Sequence, residues 1–239
     1  MCSAPLWRKR LFYGEQMKIL ALETATEACS AALYIDAEIR ERFEIAPRGH
    51  SELILPMLES LLVEADISLQ QVDALAFGRG PGAFTGVRIG VGVAQGVAFG
   101  ADLPVLPIST LAALAQATDA ARVLAAIDAR MDEVYWGRYQ RDDRGLMRLQ
   151  GEECVAAPAA TPTVSGEDWL GAGSGWGVYG DSLRMRHAGR VSVLAPEVLP
   201  RAAAISQLGA AAFAAGETVS AEQALPVYLR DKVTWKKIR

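Results

Sequence analysis

Histidine and cysteine are scarce in this chain, with two His and three Cys among 239 residues. His50 and His187 stand alone, and Cys2, Cys29 and Cys154 lie far apart without CxxC spacing. Lacking a His-x3-His pair or a Cys/His cluster, the sequence offers too few soft ligands for a zinc or iron site. An odd, scattered cysteine set also excludes a disulfide framework and points to a reducing compartment, read here as the cytoplasm. There is no GxSxG elbow, so Ser-His-Asp chemistry would rest on one of the two histidines; both are assigned to capping or surface positions instead. Long apolar runs are missing too. The most apolar stretch, Ile89 to Ala101, is bracketed by Arg88 and Asp102, contains Gln95 and falls short of the ~20 residues a membrane span needs. Nor does one sign of charge dominate: 24 basic and 28 acidic residues give −4, which rules out a whole-chain cationic surface for nucleic acid. Any RNA contact has to be local or borrowed.

What remains is 51% apolar and 22% charged, a composition that folds, at a length suited to two small domains or one bilobal unit. The first 16 residues, MCSAPLWRKRLFYGEQ, lack a continuous apolar segment and make a poor signal peptide; they read as an upstream start-site extension. Lys18–Leu22 and Ala28–Ile35 are apolar runs joined by a short polar stretch, a predicted β-hairpin. From His50 to Ala65 the apolar residues Leu53, Ile54, Met57, Leu58, Leu61 and Leu62 recur at helical spacing, with Ser51 as the expected N-cap and Pro56 as an expected kink. A strand over Val72–Phe77 runs into the glycine loop GRGPGAFTGVR and then a helix to about Phe99; Leu103–Ile108 is a further short strand, followed by an Ala-rich helix capped by Ser109 or Thr110. Shifting the chain by about 105 residues lays Glu23 over Asp128 and the first hairpin over VLAAIDARMDEVYWGRY, the mark of two lobes with a common plan. Arg141 to Gly177 reads as loops and peripheral strands, and Ala202–Ala215 as a helix. The tail carries Arg230, Lys232, Lys236, Lys237 and Arg239 around Trp235.

Several features could carry chemistry. Gly78, Gly80, Gly82 and Gly86, with Thr85 beside them, open onto a helix N-terminus, which suits either a phosphate or a tight turn. It is no Walker A loop, because no Lys follows the last glycine. Within the next helix Gly92, Gly96 and Gly100 form one ladder of small residues, and Gly86, Gly90, Ala94 and Ala98 another. Each suits close approach, to the protein's own sheet or to a partner helix. Glu23 and Asp128 are the candidate carboxylates for Mg²⁺ or base chemistry, and GAGSGWGVYGD (171–181) is either a nucleotide-facing loop or an ordinary turn.

The blocks KILALETATEACSAALY, RGHSELILPML, AFGRGPGAFTGVRIGVGVAQGVAFG, VLAAIDARMDEVYW and PVYLRDKVTWKK resemble the bacterial TsaB (YeaZ) family over nearly all of 17–239. The resemblance implies an α/β fold of the actin/Hsp70-like (ASKHA) type. It would have two lobes, 17–118 and 119–239, of mixed sheets flanked by helices, with the last helix or tail packing back on the first lobe. It also implies a non-catalytic subunit that works with TsaD and TsaE in forming N6-threonylcarbamoyladenosine in tRNA. On that reading the chain pairs with itself when TsaD is absent and meets tRNA only through the complex. It binds no cofactor strongly alone, with ATP or ADP joining at the level of the complex. The partner-facing residues so implied are Leu53, Met57, Leu61, Arg88, Gly92 and Gly96, and the loop of Gly78, Gly80, Gly82, Thr85 and Gly86 becomes a vestigial phosphate loop. TsaD-type proteins carry a His-x3-His metal motif where Ser109 to Ala113 stands here, and Glu23-Thr24-Ala25 departs from the superfamily's usual first turn. The competing reading is a small-molecule kinase or ATPase of the same fold using Glu23, Asp128 and the two glycine loops; a protease lacks its metal ligands and ranks last.

Overall fold

The computed structural model describes residues 16–230, so the expected extension (save Gln16) and the basic tail beyond Arg230 lie outside the described residues. The hairpin is present as β1 (Lys18–Glu23) and β2 (Ala28–Ile35), antiparallel in the register Leu20↔Leu33 and Leu22↔Ala31. A third strand, β3 (Glu38–Ile45), pairs with β2 at the sheet edge. Its sequence, EIRERFEI, is charged at five of eight positions, which hides it from hydropathy and discourages further strands from adding on. Helix α1 (His50–Glu64) begins one residue before the expected cap: Gly49, not Ser51, is the N-cap, and Pro56 is carried inside the helix on an exposed face. Then come β4 (Ala74–Gly78), α2 (Phe84–Ala101), β5 (Val105–Ile108) and α3 (Thr110–Gln116). Ser109 caps α3, its Oγ accepting the amides of Leu111 and Ala112 at 3.1 and 3.3 Å.

The second half repeats the plan with β6 (Arg122–Arg130), β7 (Glu133–Arg141), β8 (Met147–Leu149), β9 (Cys154–Ala156), β10 (Trp169–Ala172), α4 (Ser174–Arg186), β11 (Val191–Ala195) and α5 (Ala202–Ala214). The sheets run β3-β2-β1-β4-β5 and β8-β7-β6-β10-β11, with β9 also on β7. In each, an antiparallel meander is followed by two strands parallel to the first, the α/β two-lobed architecture expected. The segment 171–181 is neither of the loops expected of it. It closes β10, a strand paired on both sides, and opens α4.

β1 is apolar at nearly every position because both its faces are covered. On one side Leu20 and Leu22, with Leu75 and Phe77, meet Ile54, Leu58 and Leu61 of α1 and Val87 and Val91 of α2. On the other, Ile19, Ala21 and Ala76 meet Ile205 and Phe213 of α5. Each such large side chain contributes about 1.5–3 kcal/mol by leaving water. The covering helices are exchanged between lobes: α5, late in the second half, roofs the first sheet, while α3 places Leu111 and Leu114 against Val123, Ala125 and Tyr139 of the second. A glycine permits the closest of these approaches, since a Cβ at Gly209 would sit 2.8 Å from that of Ala76.

Candidate functional site: two acidic turns, a glycine loop and a helix with two faces

The first candidate carboxylate is sealed in. Glu23 is fully buried; its Oε1 accepts the Ala25 amide at 2.6 Å and its Oε2 the Thr110 hydroxyl at 3.2 Å. Burial dominates and pushes its acid constant up from 4.5 to about 7, against the lowering effect of the Ala25, Thr110 and Thr24 hydrogen bonds. Asp128 repeats the local geometry in the second lobe. Its Oδ1 accepts the Arg130 amide at 2.8 Å, its Oδ2 pairs with the Arg130 guanidinium at 2.9 Å, and its own amide donates to Ser174 Oγ at 3.1 Å. The turn amide that would greet a phosphate at Ala25 is thus held by the chain's own carboxylate, and Glu23 presents no face to a solvated Mg²⁺.

The glycine loop is filled in the same way. At Gly82 and Gly86 the neighbours are the backbone carbonyls of Ala25 and Thr24, close enough that no Cβ fits. The Thr24 hydroxyl also donates to the Gly86 carbonyl at 2.8 Å. These glycines let the loop and the β1–β2 turn pack backbone to backbone, and the oxygens facing them are ones an anion would avoid. Gly78 lies on the Glu23 carboxylate, Gly80 has φ +94° and Thr85 is exposed. In the second lobe Gly173 and Gly175 abut Ala126 in the same manner.

The two ladders of small residues on α2 point opposite ways. Gly86, Gly90, Ala94 and Ala98 are buried against the first sheet with Val87 and Val91. Gly92, Gly96 and Gly100 are exposed, with no atom within 4 Å of the place a Cβ would take. At 18 residues α2 is longer than the apolar run suggests, and by length and composition it could cross a membrane; its inward face makes it a core helix of the first lobe. Of the α1 residues expected on the partner-facing surface, Leu53 and Met57 are half-buried at its edge, but Leu61 is fully buried beneath α1 and is not available to a partner. Arg88 is exposed, its guanidinium 3.4 Å from the Phe84 ring centre and its Nε donating to the Tyr228 hydroxyl at 2.9 Å. Sequence reasoning missed Phe84 and Phe99, which are 58% and 76% exposed and bound the outer glycine ladder. Counting 3.6 residues per turn from Gly92 would have found both.

The described end of the tail crosses from one lobe to the other. The Val227 amide donates to the Arg79 carbonyl of the glycine loop at 2.8 Å. Three residues on, Arg230 donates to the carbonyls of Ala129 and Arg130 at 3.1 and 3.3 Å and to the Glu133 carboxylate. Charge-assisted bonds of this half-buried kind are worth about 1–2 kcal/mol together after solvent screening. Arg230→Ala is therefore expected to lower the thermal midpoint by several degrees and Arg230→Lys by less, measured by circular dichroism; no change would show that the crossing contributes nothing.

Both histidines are buried rather than on the surface; His50 is the first residue of α1, and His187 is the C-cap of α4, its amide donating to the Leu183 carbonyl at 3.0 Å. His50 Nε2 donates to the carbonyls of Thr26 (2.9 Å) and Ala28 (3.2 Å), which ties α1 to the β1–β2 turn and accounts for the helix starting before Ser51. His187 stacks on Trp136 at 4.9 Å. The Thr161 hydroxyl donates to the Pro158 carbonyl, so it accepts from His187 Nε2 at 2.9 Å. Burial first, then Arg186 and Arg190, push the His187 constant down to about 4, keeping the ring neutral. Among the described residues no three His, Cys, Asp or Glu side chains gather as a metal site would need.

With this geometry in place, likeness to known proteins becomes informative. The chain is 46% identical to the tRNA threonylcarbamoyladenosine biosynthesis protein TsaB of Escherichia coli over 93% of this chain and 98% of that protein. The chain belongs to the TsaB (YeaZ) family. The Haemophilus influenzae TsaB is 42% identical over 94% of this chain and 98% of its own length. YeaZ from Pseudomonas aeruginosa superposes with a TM-score of 0.83 at 51% identity, over 89% of this chain and 100% of that one. A second Pseudomonas aeruginosa structure, described as similar to peptidase YeaZ, gives 0.84 at 51% identity over 90% of this chain and 100% of that chain. The family model for TsaD, tRNA N6-adenosine threonylcarbamoyltransferase, matches residues 43–171, a stretch that runs from the end of β3 through the glycine loop into β10. Membership of the TsaB family thus goes with a chain whose acidic turns are closed and whose α2 is open on one side.

Proposed function

We propose that this chain is a non-catalytic, activating subunit in the formation of N6-threonylcarbamoyladenosine in tRNA, docking on a TsaD-type catalytic paralogue with TsaE joining the pair. The observation that carries the reading is the outward ladder of Gly92, Gly96 and Gly100. An exposed glycine inside a helix costs about 1 kcal/mol relative to alanine, and nothing among the described residues offsets it. A helix laid across the ladder would, because small residues let two backbones approach closely. Phe84, Arg88 and Phe99 on the same face, with Leu53 and Met57 beside it, supply the larger contacts, and in the absence of the paralogue a second copy takes the same place. The closed acidic turns support a chain that holds no nucleotide strongly by itself, ATP or ADP joining where the subunits meet. The names of the TsaB relatives support the tRNA-modification role.

The reading is tested with Gly96→Trp. The isolated variant is expected to keep its circular dichroism and melting behaviour, to lose co-elution with the paralogue on a sizing column, and to fail to restore tRNA modification in a reconstitution with TsaD, TsaE and the adenylate-forming enzyme. Undiminished complex formation overturns it, as does tRNA modification by this chain alone.

A further inference from the structure

The second lobe carries a groove that neither the acidic turns nor the α2 face uses. Arg122 opens β6 and Arg138 lies in β7, and the register Arg122↔Gln140 and Leu124↔Arg138 puts both arginines on one face of the sheet. Nearer the middle of that face, Leu124 and Trp136 are covered by Trp176 of α4. At the arginine end the sheet is flanked by the turns around Gly151 and Gly166, leaving a groove of about 430 Å³ lined by Arg122, Arg138, Gln140, Gln150 and Trp169. Val164, Ser165 and the two glycines complete the lining, and none of the lining side chains is acidic.

Both guanidiniums are held in place, and both have donors to spare. Arg138 Nη1 donates to the Thr163 carbonyl at 3.2 Å, while its Nε is buried without a hydrogen-bond partner. A buried N–H of a cation left unmet is costly. The Arg122 guanidinium lies 5.7 Å from the Trp169 ring centre, and its Nη2 is 4.0 Å from Asp168, a carboxylate 82% exposed at the rim. Gly151 (φ +89°) and Gly166 (φ +79°) let these groups lie flat on the turns, because a Cβ at Gly166 would come within 2.6 Å of Arg122 Nη1 and one at Gly151 would strike Arg138 Nη2. Two planar forks side by side, with a weak internal anion at the edge, match the oxygens of a phosphate.

We propose that the groove between Arg122 and Arg138 binds a phosphate group, supplied either by an RNA backbone or by a small phosphorylated molecule. The inference stands apart from the docking role of α2, so failure of one leaves the other untouched. The test follows the Arg Nε–Hε resonances of the ¹⁵N-labelled chain by NMR while inorganic pyrophosphate is added in one arm and a short hairpin RNA in the other. The Arg138 Nε–Hε signal is expected to shift on saturation in at least one arm. A response to RNA with none to pyrophosphate assigns the backbone as the source, the reverse assigns a small molecule, and either supports the site. Arg138→Gln and, separately, Arg122→Gln are expected to weaken binding at least tenfold with an unchanged fold by circular dichroism, and Asp168→Asn to tighten it severalfold. In the RNA arm the loss of one arginine also flattens the dependence of log K on log salt by about 0.7–0.9. Silence of Arg138 in both arms, or binding indifferent to both arginine substitutions, overturns the proposal.

Discussion

Alanine at Gly86 is expected to cost about 3 kcal/mol or more, whereas alanine at Gly92, six residues along the same helix, is expected to stabilise the isolated chain by about 1 kcal/mol. The reason lies in what each position faces. A Cβ at Gly86 would be driven into the Thr24 carbonyl, a backbone atom fixed by β1 and by the Thr24 hydroxyl bond to Gly86 itself. Gly90 is only slightly looser, its Cβ falling 2.5 Å from Thr24 Oγ1. At Gly92 there is open space, and the substitution simply removes conformational freedom from the unfolded chain. Urea titration resolves the two, with midpoints moving in opposite directions at constant slope. Equal destabilisation at both positions would mean that the outer face of α2 is occupied within the monomer, and the docking reading would go with it.

Glu23→Gln is expected to change stability in a pH-dependent way. The carboxyl titrates near 7 when folded and near 4.5 when unfolded, so the folded state holds the proton more tightly. Its favourable contribution is complete below pH 4.5, declines as the pH rises, and is gone above about 7, where the buried anion costs about 3 kcal/mol. Glutamine keeps an oxygen for the Ala25 amide and offers an N–H to Thr110 in place of the charge. The variant should therefore gain up to about 3 kcal/mol over the parent at pH 8 and nothing at pH 4.5, read as the difference between paired melts. His187 acts in the opposite sense, since its depressed constant removes stability as the pH falls from 6.5 towards 4, but it is common to both proteins and cancels. A flat difference across pH would show that Glu23 stays charged in the fold.

The first hairpin, α2 and α5 were legible in the sequence because burial on one or both faces writes itself as apolar periodicity. The repeat of Glu23 over Asp128 was legible because both acids accept the amide two residues on. β3 was not, since an edge strand in water needs no apolar face. Neither was the burial of both histidines, which depends on Thr26, Ala28, Thr161 and Trp136 arriving from distant parts of the chain. Of the surface set, Arg88, Gly92 and Gly96 are exposed where the helical spacing puts them. Leu61 satisfies the same spacing from the inner side, a distinction that periodicity draws only once the core is known. Read by pattern, the glycine loop suited a phosphate and a turn equally, and what separates them is the pair of carbonyls from residues 24 and 25, some 60 residues earlier.

The exchange of α3 and α5 bears on synthesis. The first sheet leaves the ribosome complete with α1 and α2 on one face, yet Ile19, Ala21, Ala76 and Leu106 on the other stay uncovered until Ala202–Ala214 has been translated. From the completion of β5 at Ile108 until α5 begins at Ala202, the nascent chain thus carries a bare apolar surface that a chaperone or its own second half has to shield.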